Sequence, residues 1–273
     1  METITSPKNP KVLAWRALQT HKGREEQNSF LVEGVRMVRE ALDSDFALRA
    51  ILLREGVEPA FPLPSGVPVF VLSDRVFAAV SETKTPQGVA AVLSRRIRPL
   101  SGSRFVALDA VQDPGNVGTI IRTADAAGFD GVLLGPECAD LFSSKVLRST
   151  MGSIFRLSFA FPEDLSADLR TLRSRGFSVL SSQLDGEPFY SREEIPAPFV
   201  LIVGNEGNGI SAPVKAEATH RFRLPMRGGA ESLNAAVAAG IMMYDLMKHP
   251  DQSRCTPHTS PRRSSVPTVL PHT

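Results

Sequence analysis

Apolar and polar positions alternate along this chain with two periods, close to 3.6 residues in some stretches and close to two in others. NPKVLAWRALQTHK suits an amphipathic helix, with Val12, Leu13, Trp15 and Leu18 on or near one face. SFLVEG predicts a short strand, and VRMVREALDS predicts a helix after it. LRAILLRE, VPVFVLS and GVAAVLSR predict further strands, with DRVFAAVSE a helix between the last two. Residues 1–95 therefore read as a small α/β domain. RRIRPLSGSR follows, basic and carrying Pro, Gly and Ser, so 96–104 reads as a linker.

A second alternation fills 105–248. Strands are expected at 105–111, 131–135, 156–160, 177–182, 199–204 and 221–225. Helices are expected near 116–127, 143–152, 164–175 and 232–248. Strands alternating with helices imply a mostly parallel sheet covered on both faces. Such sheets bind ligands at the carboxyl ends of their strands. The helix at 232–248 has almost no polar face, so it must be buried on several sides. One domain covers only one side of it, so Met242, Met243, Leu246 and Met247 are expected to meet a second subunit, the alternative being cover by the N-terminal domain in a monomer. From His249 the chain is dominated by Pro, Ser and Thr without periodicity, and 249–273 reads as a disordered tail.

Composition narrows the function classes. Of 273 residues, 42% are apolar and 22% charged, an ordinary globular profile that needs no disulfide or metal staple. Cys138 and Cys255 lie far apart, and the histidines are scattered, so neither a zinc site nor a disulfide framework is expected. The N-terminus has no long apolar run, which argues against a signal peptide or a membrane span and for a cytoplasmic protein. A net charge of +2 says little about nucleic acid. Its distribution says more: Lys8, Lys11, Arg16, Lys22 and Arg24 face only Glu2 in the first 24 residues.

Three segments of the second alternation carry candidate chemistry. In ALDAVQDPGNVGTIIRTADAAGF, a strand runs through the turn Asp113-Pro114-Gly115-Asn116 into a helix. Helix capping explains Asn116. It does not explain Arg122 among Ile120, Ile121 and Ala124, which is expected on the buried side and in need of an anionic partner. In FVLIVGNEGNGIS, an apolar strand ends in Gly204, Glu206, Gly207 and Gly209, where glycines permit close backbone approach. In FRLPMRGGAESLNAAVAAG, a flexible Arg-Gly-Gly loop leads to Ser232-Leu233-Asn234, with Ser232 a candidate helix cap. Neither a G-x-G-x-x-G fingerprint nor a P-loop occurs, which counts against an ordinary nucleotide-binding oxidoreductase.

Taken together and in this order, the segments closely resemble the three motifs of the SpoU (TrmH) branch of the SPOUT methyltransferases. The first resembles D-P-x-N-x-G-x-x-x-R from Asp113 to Arg122, and the second G-x-E-x-x-G at Gly204, Glu206 and Gly209. The third resembles P-M…S-L-N at Pro225, Met226, Ser232, Leu233 and Asn234. The first 95 residues are similar, more loosely, to an RNA-binding domain related to ribosomal protein L30e.

The resemblance implies an α/β chain whose C-terminal parallel-sheet SPOUT domain closes a deep trefoil knot, a feature otherwise nearly absent from proteins. It implies transfer of a methyl group from S-adenosyl-L-methionine to a ribose 2′-hydroxyl of RNA, without metal. Gly204, Leu224, Met226, Ser232 and Leu233 would hold the cofactor. Asn116, Arg122, Glu206, Ser232 and Asn234 would form the catalytic set, with Glu206 available as the partner of Arg122. It also implies a homodimer built on the knotted region. An added L30e-like domain favours rRNA as substrate. The alternatives are a tRNA 2′-O-methyltransferase and a non-catalytic RNA-binding assembly factor.

Overall fold

Two sheets form where the sequence places its densest apolar runs. The computed structural model describes residues 1–96 and 98–248, so the expected tail lies outside the described residues. The first sheet uses β1 (Glu2–Ile4), β2 (Ser29–Glu33), β3 (Leu48–Arg54), β4 (Val69–Leu72) and β5 (Val89–Ser94). Their order is β1-β4-β3-β5-β2, with β5 antiparallel to both neighbours and the remaining pairs parallel. Helices α1 (Pro10–Ala17), α2 (His21–Glu26), α3 (Val35–Leu42) and α4 (Asp74–Val80) connect and cover it.

The long first helix expected from periodicity is two helices. Thr20 caps the second one, its hydroxyl accepting from Gly23 N at 3.1 Å. The break brings Gly23 so close that a Cβ there would lie 2.0 Å from the Ala17 carbonyl oxygen. Val12, Trp15 and Leu18 are buried as expected, whereas Leu13 points outward and is 51% exposed. Strand β1 was not anticipated, because three residues are too few for a period to register.

The second sheet uses β6 (Arg104–Asp109), β7 (Gly131–Leu134), β8 (Ser158–Ala160), β9 (Ser178–Pro188), β10 (Phe199–Gly204) and β11 (His220–Arg223). Their order is β11-β9-β10-β6-β7-β8, and every pair is parallel. Strands β6, β7 and β10 are buried almost throughout, as near-continuous apolar strands of a doubly covered sheet must be. Leu165, Leu169 and Leu172 of α7 (Leu165–Ser174) and Val214 of α8 (Ala212–Ala216) form the core on one face. On the other face lie α5 (Pro114–Ala127), α6 (Ser144–Thr150) and α9 (Ala235–Leu246). Helix α8 was missed, although Ser211 followed by Pro213 is a start signal. Strand β9 outruns its expected end at 182, and the register of β11 against it jumps from Ser181 to Glu187. Gly186 permits that bulge, since a Cβ there would meet Phe222 backbone at 2.6 Å.

Helix α9 corrects one expectation. Met242 and Met243 are fully buried within a single chain, packed in the core beside α5. Leu246 and Met247 are half-buried against the same core. The outward face carries Val237 and Tyr244, 50% and 54% exposed, with Ile241 between them. The helix has no polar stripe to mark a rotation, so its periodicity gave no way to choose the buried side.

One apolar core joins the two sheets. It runs from Phe30, Phe46, Ile51 and Leu93 of the first to Phe142, Ile154 and Phe155 of the second. Ring centroids lie 4.9 Å apart for Phe30–Phe142 and 5.2 Å for Phe46–Phe155. Ion pairs flank this core. Arg24 donates to Asp140 Oδ2 from Nε at 3.0 Å and Nη2 at 2.6 Å, and to the Leu18 carbonyl at 2.7 Å. Arg98, in the expected linker, pairs with Asp45, and its carbonyl accepts from Phe159 N. Among the described residues, no helix is long and apolar enough to cross a membrane.

The Arg24–Asp140 pair generates a prediction. Arg24 is 5% exposed, so Asp140→Ala leaves a buried cation without its charge partner. The expected cost is about 3 kcal/mol of unfolding free energy, read from urea denaturation. An unchanged midpoint would show that the pair does not fasten the sheets.

Candidate active site

Because β6, β10 and β11 run parallel, the segments after them leave from one edge of the sheet. The first leaves β6 at Asp109. Ala110 turns in the left-handed region, at φ 53°, and the chain enters α5 at Pro114. Asp113 is the cap: its Oδ1 accepts from Asn116 N at 2.9 Å. The second segment turns tightly after Gly204, with Asn205 and Gly209 exchanging backbone hydrogen bonds at 2.9 Å. Only glycine fits at 204, where a Cβ would sit 2.3 Å from the Gly209 carbonyl carbon. The third follows β11 and ends where Asn234 caps α9, its Oδ1 accepting from Ala236 N at 2.9 Å and Val237 N at 3.2 Å.

Glu206 ties the three together. Its Oε1 accepts from Asn116 Nδ2 at 2.8 Å and Asp113 N at 3.2 Å, and its Oε2 accepts from Gln112 N at 3.3 Å. Asn116 Oδ1 in turn accepts from Asn234 Nδ2 at 2.9 Å. Partial burial pushes the Glu206 carboxyl upward. The donated bonds from Asn116, Asp113 and Gln112 outweigh this and hold it below the usual range. The carboxylate is thus fixed as an anion, with its lone pairs aimed at the start of α5.

Arg122 is not in this network. It is exposed, and Glu206 is engaged elsewhere, so the expected Arg122–Glu206 pair does not form within one chain. The reason is helical geometry: six residues separate Asn116 from Arg122, a rotation of roughly 240° about the axis. Ser232 is exposed and is not the cap of α9; the cap is Asn234, two residues later. Leu224 and Met226 are half-buried, and Leu233 is 38% exposed. The structure therefore brings Asn116, Glu206 and Asn234 together, leaves Arg122 and Ser232 outside, and strings Leu224, Met226 and Leu233 along the adjoining surface segment.

Two supporting residues escaped the sequence reading. Asn205 donates from Nδ2 to the Ala110 carbonyl at 2.8 Å and accepts from Gly207 N and Asn208 N at 2.9 and 3.0 Å. It thereby shapes the turn that presents Glu206. Asp109, 8% exposed, accepts from Ser211 N at 2.6 Å and anchors the turn's far end. A carboxylate closing an apolar strand was the available signal. Cys138 lies nearby, but burial pushes its thiol up to about 11, so it is a poor nucleophile. Among the described residues, no three His, Cys, Asp or Glu side chains gather as metal ligands.

Residues 103–244 match the SpoU rRNA methylase family. The chain belongs to that family. Residues 9–91 match an MRM3-like substrate-binding domain, so both sheets of this SpoU methylase have counterparts. The 23S rRNA (guanosine(2553)-2′-O)-methyltransferase RlmP of Bacillus subtilis is 44% identical over 250 residues, 90% of this chain and 99% of that one. An S-adenosyl-L-methionine-bound rRNA methyltransferase from Sinorhizobium meliloti superposes with a TM-score of 0.81 at 36% identity, covering 90% of this chain and 97% of that one. The SpoU methyltransferase AviRb from Streptomyces viridochromogenes gives 0.79 at 26% identity, covering 88% and 96%.

The site has a pH signature. The Glu206 carboxyl should titrate below the 4.5 of an unperturbed glutamate, because its ionised form accepts the bonds from Asn116 and the backbone. Its folded value is depressed, so the stabilisation it contributes is present above the unfolded value and lost as pH falls through the folded one. Carbon-13 NMR of the glutamate carboxyls, with Glu206→Gln for assignment, reads this directly. A midpoint at or above 4.5 would remove the donors from the account.

Proposed function

We propose that this SpoU methylase transfers a methyl group from S-adenosyl-L-methionine to a ribose 2′-hydroxyl of rRNA, as a cytoplasmic homodimer. The carrying observation is the Asn116–Glu206–Asn234 network, which joins all three motif segments at one sheet edge. The relation to RlmP, whose name specifies 23S rRNA and a guanosine 2′-oxygen, supports rRNA as the substrate. Residues 1–95 serve as the substrate-binding part and 105–248 as the catalytic part, joined by 96–104.

The chain suits this cofactor. Leu224, Met226 and Leu233 offer apolar surface, and Gly204 lets backbone approach closely. Among the described residues, the backbone of 225–233 has no hydrogen-bond partner, so its donors and acceptors are open to a ligand. These residues, with Ser232, would hold the cofactor, in the knotted arrangement that the family resemblance implies. When bound, it supplies an electrophilic methyl on a sulfonium. The protein's own task is to hold the ribose in line and to stabilise the oxygen as its proton leaves. Arg122 acts as a fixed cation for the RNA backbone and the developing negative charge, and not as a base. Asn116 and Asn234 position the ribose, and Glu206 keeps both amides oriented.

Exposure supports the dimer. Val237, Ile241 and Tyr244 recur at i, i+4 and i+7 on the outward face of α9. Beside them α5 exposes Thr119, Arg122 and Ala126. A two-fold pairing buries this face against its copy and sets Arg122, idle in one chain, near the other chain's site.

Unmodified rRNA transcripts incubated with protein, methyl donor and chelator should gain 2′-O-methyl groups; no transfer to any rRNA would overturn the reading. Arg122→Ala should reduce transfer by on the order of 10²–10³, with melting temperature and cofactor affinity retained. Undiminished transfer would remove Arg122 from the chemistry. Tyr244→Glu should dissociate the dimer in sedimentation and lower activity. A wild-type protein that sediments as one chain with full activity would exclude the dimer.

A further inference from the structure

Two open cavities adjoin on the first sheet, far in sequence from the site just described. One, of about 520 Å³, is lined by Arg36, Arg39, Glu40, Asp43 and Gln87 among others. The next, of about 560 Å³, shares Arg39 and Asp43 and continues over Leu42 and Phe61. They form one groove along the outer side of α3, from the loop before β5 to the proline-rich loop before β4.

The groove is built, not incidental. Gly34 takes a φ of 96°, and Gln87 Oε1 accepts from Val35 N at 2.8 Å, so a side chain from the β5 loop closes the start of α3. Arg39 donates to the Ala60 carbonyl and so ties the proline-rich loop to the helix. That bond leaves its charge unneutralised, and Arg36 is exposed. Among the described residues, neither arginine is ion-paired, whereas the charge of Glu40 is taken by Arg156. Phe61 and Leu42 offer a half-buried apolar floor beside two cations and one carboxylate, Asp43.

Cations for phosphates, an aromatic face for stacking and a carboxylate for an exocyclic amine are the groups that recognise unpaired nucleotides. The groove is also coupled to the catalytic helix. Arg156 contacts Glu40 on the groove wall and donates to Asp125 of α5 at 2.9 Å. Asp125 stands three residues from Arg122, roughly 4.5 Å along the axis.

We infer that the α3 groove binds a single-stranded segment of the RNA substrate and holds it at a fixed distance from the nucleotide to be methylated. This rests on the RNA methyltransferase reading above and assigns the substrate contact to particular residues of the first sheet.

The test uses full-length protein and an in vitro transcript of unmodified 23S rRNA, with binding measured against salt concentration. Arg36→Glu should weaken RNA binding roughly tenfold and reduce the salt slope by about 0.7, the release expected of one single-strand phosphate contact. Arg36→Lys should restore the slope. Phe61→Ala should weaken binding by a similar factor with the slope unchanged, because stacking releases no counterions. In both variants KM should rise more than kcat falls, and cofactor affinity should be retained. Wild-type affinity and slope in Arg36→Glu, with melting temperature preserved, would overturn the groove assignment. Because binding is read separately from methyl transfer, failure of the wild-type protein to methylate would count against the proposed reaction and leave the groove to be judged by affinity.

Discussion

The parallel alignment of the second sheet is the constraint on which the site depends. Strands β6, β10 and β11 begin at Arg104, Phe199 and His220, and nothing local would bring their ends together. Because every pair in that sheet is parallel, each strand delivers its following segment to the same edge. Glu206 then converts proximity into a defined arrangement. One carboxylate accepts from the backbone before α5 and from Asn116, and Asn116 accepts from Asn234 at the start of α9. Charge-assisted bonds of this kind are stronger than neutral ones, and they set direction as well as distance.

Much of this was legible in the residues. The strand–helix alternation was read from period alone, and the β10 expectation of 199–204 coincides with the observed strand. Glu206 stands out by its place between glycines at a strand end, whereas Asn116 and Asn234 enter the site only through the resemblance to the SpoU motifs. Periodicity gave no view of how side chains divide between neighbours. Arg122 was assigned to the buried side because small and apolar residues surround it. Yet α5 keeps an exposed stripe through Thr119, Arg122 and Ala126. Met242 and Met243 were assigned outward on a helix too uniformly apolar to show its rotation. Asn205 and Asp109 act through backbone groups distant in sequence, and no local pattern announces such bonds.

The expected linker reads differently in three dimensions. A basic stretch with Pro, Gly and Ser suggests a flexible tether, yet Arg98 pairs with Asp45 and extends the edge beside β8. Together with Arg24–Asp140 and the Phe30–Phe142 contact, this makes the relation between the two sheets a packed one. Loose domains need small, polar interfaces. Here a continuous apolar core passes between the sheets, so the two are held at a set separation.

That shared core has a consequence for synthesis on the ribosome. The first sheet is complete once β5 has emerged, but Phe30, Phe46 and Leu93 on its inner face wait for Phe142 and Phe155. Domains emerging from the N-terminus ordinarily fold as they appear, at about 5–20 residues per second. This one would spend several seconds with a large apolar face open, the condition under which nascent chains stick to one another or recruit a chaperone.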